Sequence, residues 1–191
     1  MKFKIKGKRA SRNDLLSQFI NESVATGSTV LDIGCGPKAY SAPLLEQQCR
    51  VLTIDAWDWV EPDIVANVET TPIFEITTER WDYILMIDFI EHLDKDAGVR
   101  LLEDCKKIVN KKIFLLTPLP EIWTDNTHNI KNERIWSHGN QFDIHKSSWT
   151  HDDFAGWVEV KLPSLEKYYV GYYEALDIDY IRNTPRNNSP G

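Results

Sequence analysis

The run Thr29-Val30-Leu31-Asp32-Ile33 is almost wholly apolar and stops at Gly34-Cys35-Gly36-Pro37. A short apolar run ended by glycines predicts a strand buried on both faces. Before it, Leu15, Leu16, Phe19 and Ile20 recur at helical spacing behind Ser11-Arg12-Asn13-Asp14. A hydroxyl followed three residues later by a carboxylate is a capping box, so a helix is expected to start there and to close at Gly27. After the glycines, Tyr40, Leu44 and Leu45 mark a second helix, with Pro37 suited to its first turn. Val51–Ile54, Ile64–Ala66, Trp81–Ile87 and Ile113–Leu116 read as further strands. Ala97, Leu101, Leu102, Cys105 and Ile108 form one face of a helix between the last two. Strand and helix alternate as far as residue 118, which predicts an α/β fold: a doubly wound, mostly parallel sheet with helices on both faces.

The pattern then changes. Residues 119–149 show neither period, and a connection of that length inside a domain is usually functional. This stretch carries Trp123, Trp136, Phe142 and Trp149 with His128, His138 and His145, and His151 follows it. It is expected to be the wall and lid of a substrate pocket. Thr150 and Asp153 make a second capping box, and Trp157–Val160 and Tyr168–Tyr173 are the last strands. From Asn183 onward, Asn, Pro, Arg and Ser predict a disordered tail.

Composition narrows the class. A chain of 191 residues with 42% hydrophobic content fits one domain, placed at 13–182, and holds no apolar run long enough to span a membrane. Net charge is −7, yet residues 1–12 carry Lys2, Lys4, Lys6, Lys8, Arg9 and Arg12 and no acid. The remainder has 16 basic against 29 acidic residues, a balance that disfavours duplex nucleic acid. The basic segment 1–12 reads as a solvated terminus, or as an arm for RNA. Three cysteines at unrelated spacings, with no apolar signal after the basic start, predict a reduced, cytoplasmic protein.

The glycine turn carries the candidate chemistry. Gly34-Cys35-Gly36-Pro37-Lys38-Ala39 satisfies the dinucleotide pattern G-x-G-x-x-G/A, with Asp55 about twenty residues on as a ribose partner. Asp32, two residues before the first glycine, would repel a pyrophosphate and attract a ligand bearing an ammonium group. On these residues the chain resembles the class I methyltransferases that use S-adenosylmethionine (SAM), although Lys38 stands where that family often has a third glycine. A second segment, Asp88-Phe89-Ile90-Glu91-His92-Leu93, is similar to the family's block ending in Glu-His-Leu. The pattern His145-x-x-x-Trp149-Thr150-x-x-Asp153-Phe154 also resembles a segment that many relatives carry. The resemblance implies a seven-stranded sheet completed by a C-terminal antiparallel hairpin. It implies a SAM site at Asp32, Gly34, Cys35, Gly36, Asp55, Ala56 and Trp57, with Asn67 and Val68 on the adenine and Asp88 and Phe89 at the methyl end.

Methyl transfer from a sulfonium needs alignment first and a base only for a protonated acceptor. His145 is the first candidate base because imidazole titrates near neutrality, followed by Asp88 and His138. The four histidines at 128, 138, 145 and 151 are too irregularly spaced for a metal site, and none is expected. Enzymes acting on exocyclic amines of nucleic acids carry Asn/Asp-Pro-Pro-Tyr/Phe where this chain has Ile87-Asp88-Phe89-Ile90, and no Pro-Cys nucleophile lies near. A small-molecule, lipid or sugar acceptor is therefore expected. An RNA methyltransferase using the basic arm, or a SAM-binding module without catalysis, are the alternatives.

Overall fold

The computed structural model describes residues 11–124, 131 and 136–176. The basic residues from Lys2 to Arg9, His128 and the tail after Asn183 lie outside these. Helix α1, Arg12–Ser23, begins at the expected box: Ser11 N–H donates to Asp14 Oδ2 at 3.0 Å, and Asp14 N–H to Ser11 Oγ at 3.2 Å. It ends earlier than Gly27 because Val24 turns extended to bury its side chain in the core. Strand β1, Thr29–Ile33, runs into the glycine turn. Helix α2, Ala42–Glu46, is later and shorter than expected, since Lys38 adopts the left-handed conformation and residues 37–41 form turns. Beyond it come β2, Arg50–Asp55, and β3, Ile64–Val65, followed by α3, Ile73–Ile76, one turn that the sequence pattern does not mark. β4, Trp81–Ile87, and α4, Lys95–Ile108, match their expected ranges closely. β5, Val109–Pro118, extends well past 113–116. β6 is only Val158–Glu159, and β7 is Tyr168–Glu174.

These strands form one seven-stranded sheet in the order β3-β2-β1-β4-β5-β7-β6. The first five neighbours are parallel, while β7 runs antiparallel to β5 and β6 antiparallel to β7. The length of β5 follows from this partner: Lys112 to Pro118 pair in turn with Glu174 to Tyr168.

Alternation along the central strands explains the burial of both faces. Ile84 and Met86 point into the core under α4 with Leu31, Ile33, Leu101 and Trp149. Leu85 and Ile87 point the other way, joining Val30, Phe114, Val170 and the α1 residues Leu16 and Ile20. Burial of each such side chain contributes about 1.5–3 kcal/mol, and none is exposed by more than a few per cent. All three cysteines are buried and unbridged. The parallel strands thus deliver Gly34, Asp55, Asn67 and Asp88 to a single edge of the sheet, where their carboxyl ends open into a crevice. No described helix is long and apolar enough to cross a membrane.

Candidate functional site

A cavity of about 420 Å³ lies along that edge. The glycine turn forms its floor. Gly34 and Cys35 donate to Ile54 O at 2.8 and 3.2 Å, which ties the turn to β2. Gly34 has φ +70°, and a Cβ there would sit 1.9 Å from Cδ2 of Phe89. A side chain at this position would therefore first strike the Phe89 ring. Gly36, with φ +45°, leaves space under the Trp136 indole, whose nearest atom would be 3.4 Å from an added Cβ.

Asp55, at the end of β2, accepts from Gly36 N–H through Oδ2 and from Trp57 N–H through Oδ1, both at 2.9 Å. Its carboxylate clasps the turn, and each oxygen keeps a second lone pair directed elsewhere. Asp32, the carboxylate of β1, is only 4% exposed. Burial pushes it up to about 7, the nearby Ser41 hydroxyl opposes this, and Asp55 adds to it. Asn67 Oδ1 accepts from Glu69 N–H at 2.9 Å, so its turn-forming role is real and its amide nitrogen is the end turned to other partners.

Asp88 has a partner that the sequence does not foretell. Both its oxygens are engaged by Arg12, Nη1 to Oδ1 at 3.1 Å and Nη2 to Oδ2 at 2.5 Å, a bidentate pair in the cavity lining. Burial raises its pKa and the guanidinium opposes the rise. The Arg12 guanidinium also lies 4.9 Å over the Tyr168 ring. Counted in sequence with the basic head, Arg12 belongs to α1 and to the site.

The other end of the cavity holds groups that the sequence pattern does not bring together. Glu91 is 1% exposed and accepts from Thr117 Oγ1 at 2.9 Å. Burial holds its carboxyl well above the ordinary range, and Asp88 adds to the effect. Its neighbour His92 is lowered to about 4, by burial first and then by His145. The two imidazole centroids are 4.9 Å apart. The loop carrying His145 is fixed here by Lys146 N–H and Ser147 N–H donating to Glu91 O at 2.8 and 3.1 Å. Lys146 Nζ reaches Glu69 Oε2 at 2.6 Å, and Glu69 Oε1 accepts from Asp94 N–H at 2.8 Å.

Asp32, Gly34, Cys35, Gly36, Asp55, Ala56, Asn67, Val68, Asp88, Phe89 and His145 therefore all line one cavity. Several expected residues do not. His138 is exposed and away from the lining. Trp57 instead stacks on Trp59, with centroids 4.9 Å apart and planes at 22°. The lining indole is Trp136. Trp149, expected in the pocket wall, is fully buried beneath α4, where it packs against Gly98 and donates to Ser147 Oγ at 2.8 Å. Arg12, Glu69, Glu91 and His92 are the site residues that pattern reading misses, although Glu91 and His92 stand in the motif that carried the resemblance.

No curated protein matches the sequence. Among solved structures, coclaurine N-methyltransferase bound to N-methylheliamine and SAH superposes with a TM-score of 0.50 at 20% identity, covering 61% of this chain and 39% of that one. The chain thus spans well under half of that relative's length. N-methyltransferase NodS from Bradyrhizobium japonicum WM9 gives 0.56 at 16% identity, over 86% of this chain and 94% of its own. A candidate Zn-dependent alcohol dehydrogenase from Rhodobacter sphaeroides gives 0.60 at 12% identity, over 87% and 90%. Likenesses at such identities show the fold alone. The family is shown by sequence: the profile of a methyltransferase domain matches residues 8–160, and the chain belongs to that methyltransferase family.

Proposed function

We propose that this chain is a SAM-dependent methyltransferase acting on a small acceptor. The observation that carries the reading is the buried Asp32 carboxylate beside the glycine turn, in the same cavity as Asp55. A carboxylate so poorly hydrated favours a ligand that brings an ammonium group, and it disfavours the pyrophosphate of a dinucleotide. These residues fit SAM: Asp32 for its ammonium, Asp55 for the ribose hydroxyls, Asn67 and Val68 for the adenine, and Trp136 over the glycine turn. When bound, SAM supplies an electrophilic methyl group on a sulfonium.

The chain's own residues then hold the acceptor in line and exclude water. Alignment of this kind contributes several kcal/mol to catalysis. Ile122, Phe142 and Tyr168 give the acceptor side its apolar walls. Of the three candidate bases, His138 lies off the cavity and Asp88 is held by Arg12, which favours His145 as the residue that acts on the acceptor's reacting group. Isothermal titration with SAM, its demethylated product and NADH tests the cofactor. Binding of NADH without SAM overturns the reading. SAM binding without turnover on any small acceptor would favour a module that has lost catalysis.

A further inference from the structure

We propose that Glu91, His92 and His145 form a site for one divalent transition-metal ion at the acceptor end of the cavity, and that this ion receives an oxygen atom of the acceptor. The inference rests on the methyl-transfer reading for its acceptor. It refines how His145 acts, as a ligand that lowers the acceptor's affinity for its proton and not as a free base.

The three side chains each offer one ligand atom, and these atoms all lie within 4.8 Å of one another. Donors about 2.0–2.2 Å from an ion sit about 3–4 Å apart, so closure by about 1 Å completes the set. The arrangement is built into the fold. Glu91 and His92 share the 3-10 turn Ile90–His92 that follows β4. The His145 loop is fastened to that turn by the amides of Lys146 and Ser147 on Glu91 O.

An independent observation points to a cation. The Glu91 side chain is 1% exposed, and among the described residues its bonded partner is a neutral hydroxyl, Thr117, with no ion pair. A buried acid keeps its proton unless a partner of opposite charge or a metal ion stabilises the carboxylate. Two imidazoles beside it are donors of the right kind. Mixed nitrogen and oxygen donors select Zn²⁺, Co²⁺ or Mn²⁺, whereas Mg²⁺ and Ca²⁺ prefer all-oxygen shells.

Three protein ligands leave positions open toward the cavity, as in metal sites that bind substrate. An acceptor hydroxyl placed there loses its O–H bond readily: the electron pair stays on oxygen and the proton leaves to solvent. This narrows the acceptor to a molecule with a hydroxyl or phenol oxygen.

Chelator-stripped protein titrated with Co²⁺, followed by visible absorption, tests the site. One Co²⁺ per chain should bind, be displaced by Zn²⁺ and resist excess Mg²⁺. His145→Ala and Glu91→Gln should each weaken Co²⁺ by at least about tenfold, while melting temperature in chelator confirms that both variants fold. No binding to the parent protein, or undiminished binding in both folded variants, overturns the proposal. SAM titrated into the stripped parent keeps the two readings apart. Loss of SAM binding there overturns methyl transfer and leaves the Co²⁺ result untouched.

Discussion

Replacing Gly34 by alanine probes the joint between the glycine turn and the β4 edge. The backbone there has φ +70°, and a Cβ would lie 1.9, 2.5 and 2.7 Å from three atoms of the Phe89 ring. Carbon atoms are at ease about 3.5–4.0 Å apart, so the ring must withdraw by about 1.5–2 Å. A left-handed L residue costs about 1–2 kcal/mol, and overpacking of this kind costs about 1–3 kcal/mol more. The sum, about 2–5 kcal/mol, corresponds to a fall of about 4–20 °C in melting temperature for a chain of this size. Scanning calorimetry reads it directly.

Phe89→Ala in the Gly34→Ala background removes the obstruction but leaves the strained backbone. The pair should therefore be non-additive, with an interaction energy of about 1–3 kcal/mol, and the double variant should melt above the value the two single changes sum to. A Gly34→Ala protein that melts within about 2 °C of the parent would refute the packing described here. Additivity of the two changes would show that something other than the ring meets the new methyl group.

Further outcomes are expected. Asp55→Ala should weaken SAM by about 1.5–3 kcal/mol in calorimetry, the scale of charged hydrogen bonds, and unchanged affinity would move the ribose contact elsewhere. SAM affinity should rise with pH through about 7 as Asp32 ionises, and Asp32→Asn should flatten that profile. In the ligand-free protein the sign is opposite: a carboxyl raised to about 7 retains its proton longer than in the unfolded chain, so stability falls as pH climbs from the ordinary carboxylate range through 7. Arg12→Ala should lower the melting temperature by leaving Asp88 unpaired, and Asp88→Asn should restore part of it; no change in either variant would show that the pair contributes nothing. His145→Ala should lower methylation while SAM affinity, measured by titration, stays near the parent's; a full rate would remove His145 from the acceptor site.

Much of the fold was legible because its signals are local. Capping at Ser11 and Asp14, the apolar runs of β1, β2 and β4, and the face of α4 each specify an element within a few residues. The glycine-turn end of the cavity was legible for the same reason, since Asp32 lies on β1 just before the glycines and Asp55 at the end of the adjoining strand. What escaped depends on long-range pairing. Nothing near Arg12 reveals that its guanidinium meets Asp88, and nothing near His145 reveals Glu91 and His92. The aromatic residues show the same limit from the other side. Trp57, Trp136 and Trp149 look alike in sequence, yet one stacks on Trp59, one lines the cavity and one fills the core against Gly98.

Charge distribution links the two ends of the cavity. Among the described residues, six carboxyl groups line it, Asp32, Asp55, Glu69, Asp88, Glu91 and Asp143, against two permanent cations, Arg12 and Lys146. Each cation is already bonded to an acid, Arg12 to Asp88 and Lys146 to Glu69. Asp55 is stabilised by two backbone N–H groups. Asp32 and Glu91, both nearly inaccessible to water, have no basic side chain bonded to them among the described residues. Burial raises both, so each binds a proton unless a ligand brings positive charge. One of the two acids stands beside the glycine turn and the other by the imidazoles. The cofactor proposed above would answer the first and the proposed divalent ion the second. The cavity is thus organised to be neutralised by what it binds, and its ligands should stabilise the fold more as pH rises, when both acids would otherwise be left charged and unpaired.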